Sequence, residues 1–176
     1  MAEQATSIQR IGVIGSGSWG TALAFIASWH EKADMPPVHW WVRREDTRRH
    51  LIQTGHNPHY IKGLSLNMDR LKPSSDLQAV IDASDVLLLA VPSAHLDAVL
   101  HPGLTGLQDK VFLSAVKGLV TSEHHVPARY LHKVLGVPYG QIGLISGPSH
   151  AEEVARTQHT YLTLAALHDE MARALA

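Results

Sequence analysis

Gly15-Ser16-Gly17-Ser18-Trp19-Gly20 carries three glycines at Gly-x-Gly-x-x-Gly spacing, between the apolar run Ile11-Gly12-Val13-Ile14 and an Ala-rich stretch over residues 21–27. Strand, glycine turn and helix in that order form the setting in which a backbone cradles the pyrophosphate of a dinucleotide. Gly15 permits the tight turn, Gly17 lets the backbone approach the phosphates, and Gly20 lets the helix pack closely on the strand. The helix start adds oriented N–H groups. Trp19 reads either as a cofactor neighbour or as a helix-packing residue whose backbone serves the cofactor regardless.

A second group of residues stands where the ribose of such a ligand would lie. The apolar run Val38-His39-Trp40-Trp41-Val42 ends about 20 residues after the last glycine, where an acidic side chain would hold the ribose hydroxyls of NAD. Arg43 and Arg44 occupy that place, and a guanidinium grips a 2′-phosphate or stacks on adenine, which favours NADP or dual use. Glu45 and Asp46 follow at once, so a small loop shift could still present a carboxylate. On the alternative reading these four charges are a solvated helix start, an account that suits Arg44 better than Arg43.

Lys117 follows the apolar run 111–116 and precedes a glycine, which puts a compact cation at the end of a strand, where ligands of open α/β sheets bind. Gly147-Pro148-Ser149 reads as a turn, with Ser149 and Glu152 spaced as a capping box that starts a helix. Glu152 and Glu153 place negative charge at that helix start, so a phosphate held there needs further cations. Pro92-Ser93 ends a strand and either caps the next helix or touches the cofactor.

Composition narrows the chemistry. The 176 residues with 45% hydrophobic content suit one domain with a real core. A net charge of −1 supplies no long-range field for nucleic acid or an anionic membrane, and no apolar run approaches the roughly 20 residues of a membrane span. Cysteine is absent, which removes disulfides, thiolate zinc sites and thiol nucleophiles. Met1-Ala2-Glu3-Gln4-Ala5 lacks the basic and apolar regions of a secretion signal, so a cytoplasmic address is expected. The 13 histidines include His124-His125 and His56-x-x-His59, but no His-Glu-x-x-His, and no metal site is expected. No Gly-x-Ser-x-Gly elbow is present for a serine nucleophile.

The elements that must position these residues follow from the apolar pattern. Continuous apolar runs near 11–14, 38–42, 86–91, 111–115, 142–145 and 161–165 alternate with helical stretches near 19–29, 45–54, 77–83, 94–100, 126–135, 149–156 and 168–174. Strands apolar on both faces and separated by helices imply an α/β, doubly wound Rossmann-type fold, a mostly parallel sheet with helices on both faces. Residues 55–75 are poorly periodic and read as a long functional or mobile loop. Residues 1–176 are expected to form one NAD(P)-binding domain.

Four separated blocks carry a family resemblance: residues 15–24, Ala90-Val91-Pro92-Ser93, Val116-Lys117-Gly118-Leu119 and Ile145-Ser146-Gly147-Pro148-Ser149-His150-Ala151-Glu152-Glu153-Val154-Ala155. With Asn57-Pro58-His59-Tyr60 in the long loop, the chain resembles the bacterial NAD(P)-dependent glycerol-3-phosphate dehydrogenases over nearly its whole length. The resemblance implies NAD(P)H as cofactor and reduction of dihydroxyacetone phosphate to sn-glycerol 3-phosphate, which feeds phospholipid synthesis. It implies cofactor contacts at Ser18, Trp19, Arg43 and Ala151, a cofactor and substrate meeting point at Lys117, and substrate contacts at Gly147 and Ser149.

The same family continues into a helical substrate domain whose lysine donates the proton to the carbonyl. No lysine follows Lys133 here, so the chain is expected to bind cofactor with little or no turnover, and homo-oligomers are expected from apolar surface left uncovered. The competing readings are another two-domain reductase of hydroxyacid or ketopantoate type, against which the Ser146-Gly147-Pro148-Ser149 block speaks, and a stand-alone non-catalytic nucleotide-binding module.

Overall fold

A computed structural model describes residues 9–29 and 35–175, so the N-terminal stretch read for a signal lies outside the described residues. Seven strands form one sheet: β1 Ile11–Ile14, β2 Val38–Trp41, β3 Leu71–Ser74, β4 Val86–Leu89, β5 Val111–Ser114, β6 Ile142–Ser146 and β7 Thr163–Ala166, in the order β3-β2-β1-β4-β5-β6-β7. The first six run parallel and β7 pairs antiparallel with β6. The connecting helices are α1 Ser18–Ser28, α2 Glu45–Thr54, α3 Leu77–Asp82, α4 Leu96–Val99, α5 Pro127–Lys133, α6 Ala151–Ala155 and α7 Asp169–Leu175.

Register sorts the side chains into two cores. Val13 stands level with Trp40 and Leu88, and these bury against Leu23, Ala24 and Ala27 of α1 and Leu51 of α2. One residue on, Ile14 stands level with Trp41 and Leu89, and these meet Ile81 of α3, Leu96 of α4 and Leu131 of α5 on the opposite face. The period of two along each strand thus buries both faces of the sheet, which is why the strands read as unbroken apolar runs.

Three expectations need correction. Residues 55–75 are not one loop, because β3 lies within them; Lys72 and Pro73 hid it, and a proline is tolerated there since β3 is an edge strand. The last strand spans Thr163–Ala166 rather than starting at 161, and it runs against its neighbour. The stretch 94–100 is a short 3₁₀ turn, Ser93–His95, followed by α4.

The chain order reverses direction between β1 and β4, which are adjacent in the sheet although β2 and β3 intervene in sequence. The loops leaving the carboxyl ends of β1 and β4 part there and open a crevice, the place where doubly wound sheets bind ligands.

Candidate functional site

The glycine loop leaves β1 at that crevice. Gly15 has φ +121°, and a Cβ there would stand 2.7 Å from the Ala90 carbonyl oxygen beyond β4. A Cβ on Gly20 would run into the Gly15 carbonyl, so α1 sits against the loop that precedes it as closely as a backbone allows. Gly17 is different: a Cβ there would meet nothing within 4 Å, which leaves the loop open to a ligand at that point. The loop is anchored from behind, since the Trp40 indole N–H donates to the Gly15 carbonyl at 2.8 Å and the Asn57 amide donates to the Ser16 carbonyl at 3.1 Å.

Above the loop lies a cleft of about 950 Å³ lined from the carboxyl ends of β1, β2, β4, β5 and β6. Gly15, Gly17, Ser18, Trp19, Arg43, Lys117, Gly147, Ser149 and Ala151 all line it; of the predicted site residues only Gly20, buried beneath the loop, does not. Trp19 both faces the cleft and packs on the core, so its packing reading holds at a place open to a ligand. Ala151 is buried against Ala22 of α1, which brings α6 to the cleft wall.

The charged side chains of the lining, Arg43, Arg44 and Lys117, have one sign. Arg43, Arg44, Lys117, His59, His95 and His150 face the cleft, and none of its lining residues is Asp or Glu. The carboxylates that could have replaced Arg43 at the ribose position are committed elsewhere. Asp46 accepts two hydrogen bonds from Arg44, the shorter at 2.6 Å, and that guanidinium holds its carboxyl down at about 2. Glu45, bound chiefly by Arg48 and then by Ser75 and Arg49, is likewise held at about 2. Among the described residues no ion pair engages the exposed Arg43. The helix-start reading therefore applies to Arg44, Glu45 and Asp46.

The far wall is built on the turn after β6. Gly147 has φ +141°, with the Tyr161 carbonyl where a Cβ would be, and the Ser149 hydroxyl donates to that same carbonyl at 2.9 Å while accepting from Thr160. The capping box is shifted by one residue from its expected place: His150 is the N-cap, and Glu153 accepts its backbone N–H at 3.3 Å. Ser149 is excluded from capping because its hydroxyl is already engaged by the 160–161 strand entry.

The structure also adds residues to the cleft that sequence reasoning did not assign: Trp41, Thr47, His59, Tyr60, His95, His150 and Leu162. Tyr60 and His59 had a signal in the Asn57-Pro58 turn and His150 in the block over 145–155, whereas His95 carried none. His56 bonds through Nδ1 to the Leu64 carbonyl at 2.9 Å while His59 faces the cleft, and among the described residues no three His, Asp or Glu gather at one point. No described helix is long and apolar enough to cross a membrane.

A glycine loop open at Gly17, a cleft at the topological switch and a carboxylate-free, cationic lining fit a polyanionic dinucleotide. Comparison with known proteins agrees. The family described as NAD-dependent glycerol-3-phosphate dehydrogenase N-terminus matches residues 10–172. A glycerol-3-phosphate dehydrogenase [NAD(P)+] of Pseudomonas syringae is 33% identical over 94% of this chain and 46% of the relative, and one of Syntrophomonas wolfei is 36% identical over 93% and 47%. The crystal structure of the glycerol-3-phosphate dehydrogenase of Coxiella burnetii superposes with a TM-score of 0.77 at 28% identity, covering 96% of this chain and 50% of that one. The chain thus spans about half the length of the curated relatives it matches. It belongs to the family of N-terminal domains of NAD-dependent glycerol-3-phosphate dehydrogenases.

Proposed function

We propose that residues 1–176 are the NAD(P)-binding domain of an enzyme that interconverts dihydroxyacetone phosphate and sn-glycerol 3-phosphate in glycerophospholipid synthesis. The observation that carries this reading is the cleft itself: a glycine loop open at Gly17 beneath a lining of Arg43, Arg44 and Lys117 with no carboxylate. In it Gly15, Gly17, Ser18 and Trp19 hold the pyrophosphate side of the cofactor, Gly20 sets the loop, and Ala151 closes the wall beyond α1. Arg43 takes the 2′-phosphate, since Glu45 and Asp46 are bound to arginines and cannot turn to a ribose without losing those bonds.

When bound, the reduced nicotinamide supplies the hydride for the substrate carbonyl carbon. This chain contributes Lys117, which lines the cleft three residues beyond β5 and orients the oxygen-rich substrate. Gly147 and Ser149 present the substrate-binding turn. His150 lines the cleft beside that turn as the N-cap of α6. A cytoplasmic address and a homo-oligomeric state belong to the same proposal, with neither membrane nor nucleic acid as partner; light scattering after size exclusion tests the oligomer.

Side-by-side fluorescence titration with NADPH and NADH, repeated on Arg43→Ala, tests the cofactor reading. Saturable binding that favours NADPH, with the preference abolished in the variant, is expected. Absence of saturable binding by either cofactor overturns it.

A further inference from the structure

Asn57 lies 41 residues from Ser16 in sequence and is only 4% exposed, yet all of its amide hydrogen-bonding capacity is used at the glycine loop and the segment beside it. Its Nδ2 donates to the Ser16 carbonyl at 3.1 Å and to the Thr21 hydroxyl at 2.8 Å, and its Oδ1 accepts from the backbone N–H groups of His59 at 3.0 Å and Tyr60 at 3.2 Å. Two donors and two acceptors exhaust a primary amide. A buried side chain placed this way fixes three things at once: the loop after β1, the first turns of α1, and the segment that brings His59 and Tyr60 to the cleft.

The direction of these bonds matters for phosphate binding. In a planar trans peptide the C=O and the following N–H point to opposite sides. Holding the Ser16 carbonyl toward Asn57 therefore turns the Gly17 N–H away from it. The Trp40 bond to the Gly15 carbonyl does the same for the Ser16 N–H. Among the described residues neither of these two N–H groups has a protein acceptor, and they sit where the loop is open to a ligand. The far end of the segment is held as firmly: Ile61 has φ +51°, a strained value for a β-branched residue, and packs on Ala22, Ala151 and Val154.

We infer that Asn57 is a positioning residue of the cofactor site, which holds the glycine loop with its Ser16 and Gly17 N–H groups aimed at the pyrophosphate before the ligand arrives. The inference rests on the cofactor reading above. Preorganised donors need no rearrangement on binding, so losing the hold weakens pyrophosphate-bearing ligands selectively.

The informative variant is Asn57→Asp. It keeps an acceptor for His59 and Tyr60 but cannot donate to the Ser16 carbonyl. Titrated with NADPH it is expected to bind about tenfold more weakly or worse, whereas adenosine 2′-monophosphate, which lacks the pyrophosphate, loses less than about twofold. In the ligand-free chain, exchange of the Thr21 amide, which is bonded to the Gly17 carbonyl at 2.9 Å, is expected to quicken while that of residues 59–60 stays as it was. Unchanged NADPH affinity, or a parallel loss for both ligands, overturns the inference in favour of a merely structural role. Unchanged exchange with weakened NADPH also overturns it, because the loss is then charge repulsion by the new carboxylate. If Asn57→Asp does not fold, Thr21→Val removes one of the two acceptors without adding charge; a loss of about threefold for NADPH alone is expected, and none overturns the inference. Should the unaltered chain bind no NADPH, the cofactor reading falls by itself, while the exchange comparison still judges the hold of Asn57 on the loop.

Discussion

The two walls of the cleft are built differently. On the β1 side, Gly15 is buried, Trp40 is fully enclosed and Asn57 is nearly so, and successive loop carbonyls are held by side chains from β2 and from residue 57. On the β6 side, Ser146, Pro148 and His150 are exposed, and neighbouring apolar groups stand in solvent: Tyr161 is 81% exposed, Leu167 66% and Leu144 44%. The loop carbonyls of the first wall are held by side chains of this domain. The second has a turn held by the Tyr161 carbonyl, and its neighbouring side chains are exposed. On the function proposed above, hydride transfer requires a reacting pair shielded from water, and cofactor capture falls to the first wall.

Substitutions sharpen this contrast, beginning with the largest effect. Gly20→Ala drives a methyl into the Gly15 carbonyl, a backbone atom that cannot rotate away. It is expected to cost about 3 kcal/mol in urea unfolding and to abolish measurable NADPH binding. Retention of wild-type stability would show that the β1 wall tolerates movement and remove the contrast. Arg43→Ala next: NADPH affinity is expected to fall at least about tenfold in the fluorescence titration while NADH changes little, since only the former carries the 2′-phosphate.

Ser149→Ala examines the other wall. It removes a half-buried hydroxyl bonded to Tyr161 and Thr160, so unfolding free energy is expected to drop by about 1 kcal/mol with NADPH affinity unchanged. A loss of NADPH affinity equal to that of Arg43→Ala would merge the two walls into one unit.

The smallest effect is a pH dependence. Glu45 and Asp46 titrate near 2 when folded, below their ordinary values of 4.5 and 3.8. Their arginine pairings therefore stabilise the fold above those ordinary values, and this contribution is lost as pH falls towards 2. Both groups are exposed to solvent, so the change is modest and shrinks with added salt. An acid titration of the unfolding midpoint measures it, and Glu45→Gln is expected to flatten part of the slope between pH 4.5 and 2.

What was legible in the sequence follows the same division. The β1 wall could be read because its requirements are local: a tight turn and a close helix contact demand glycines at fixed spacing, and both Gly15 and Gly20 meet backbone where a side chain would stand. Arg43 was legible because it ends a buried strand. Asn57 entered only as part of a motif, since its partners lie 36 and 41 residues away and no periodicity encodes them. β3 was hidden by Lys72 and Pro73, residues that an interior strand excludes and an edge strand accepts. The antiparallel sense of β7 was likewise invisible, because alternating exposure along Thr163–Ala166 says which face is buried but not which way the strand runs. The one-residue shift of the cap arose from a bond to Tyr161, again a distant partner.

The central place of β1 also bears on the order in which the site comes into being during synthesis. Its pairing with β2 closes a short segment, Val13 to Trp40, but its pairing with β4 joins Ile11 to Val86. The longer closure carries the larger entropic cost and is the slower to form. A nascent chain released as far as β3 has therefore made its glycine turn and its arginine, yet has no Ala90 to pack against and no crevice. The binding cleft is a late product of folding, although the motif that announces it is among the first residues made.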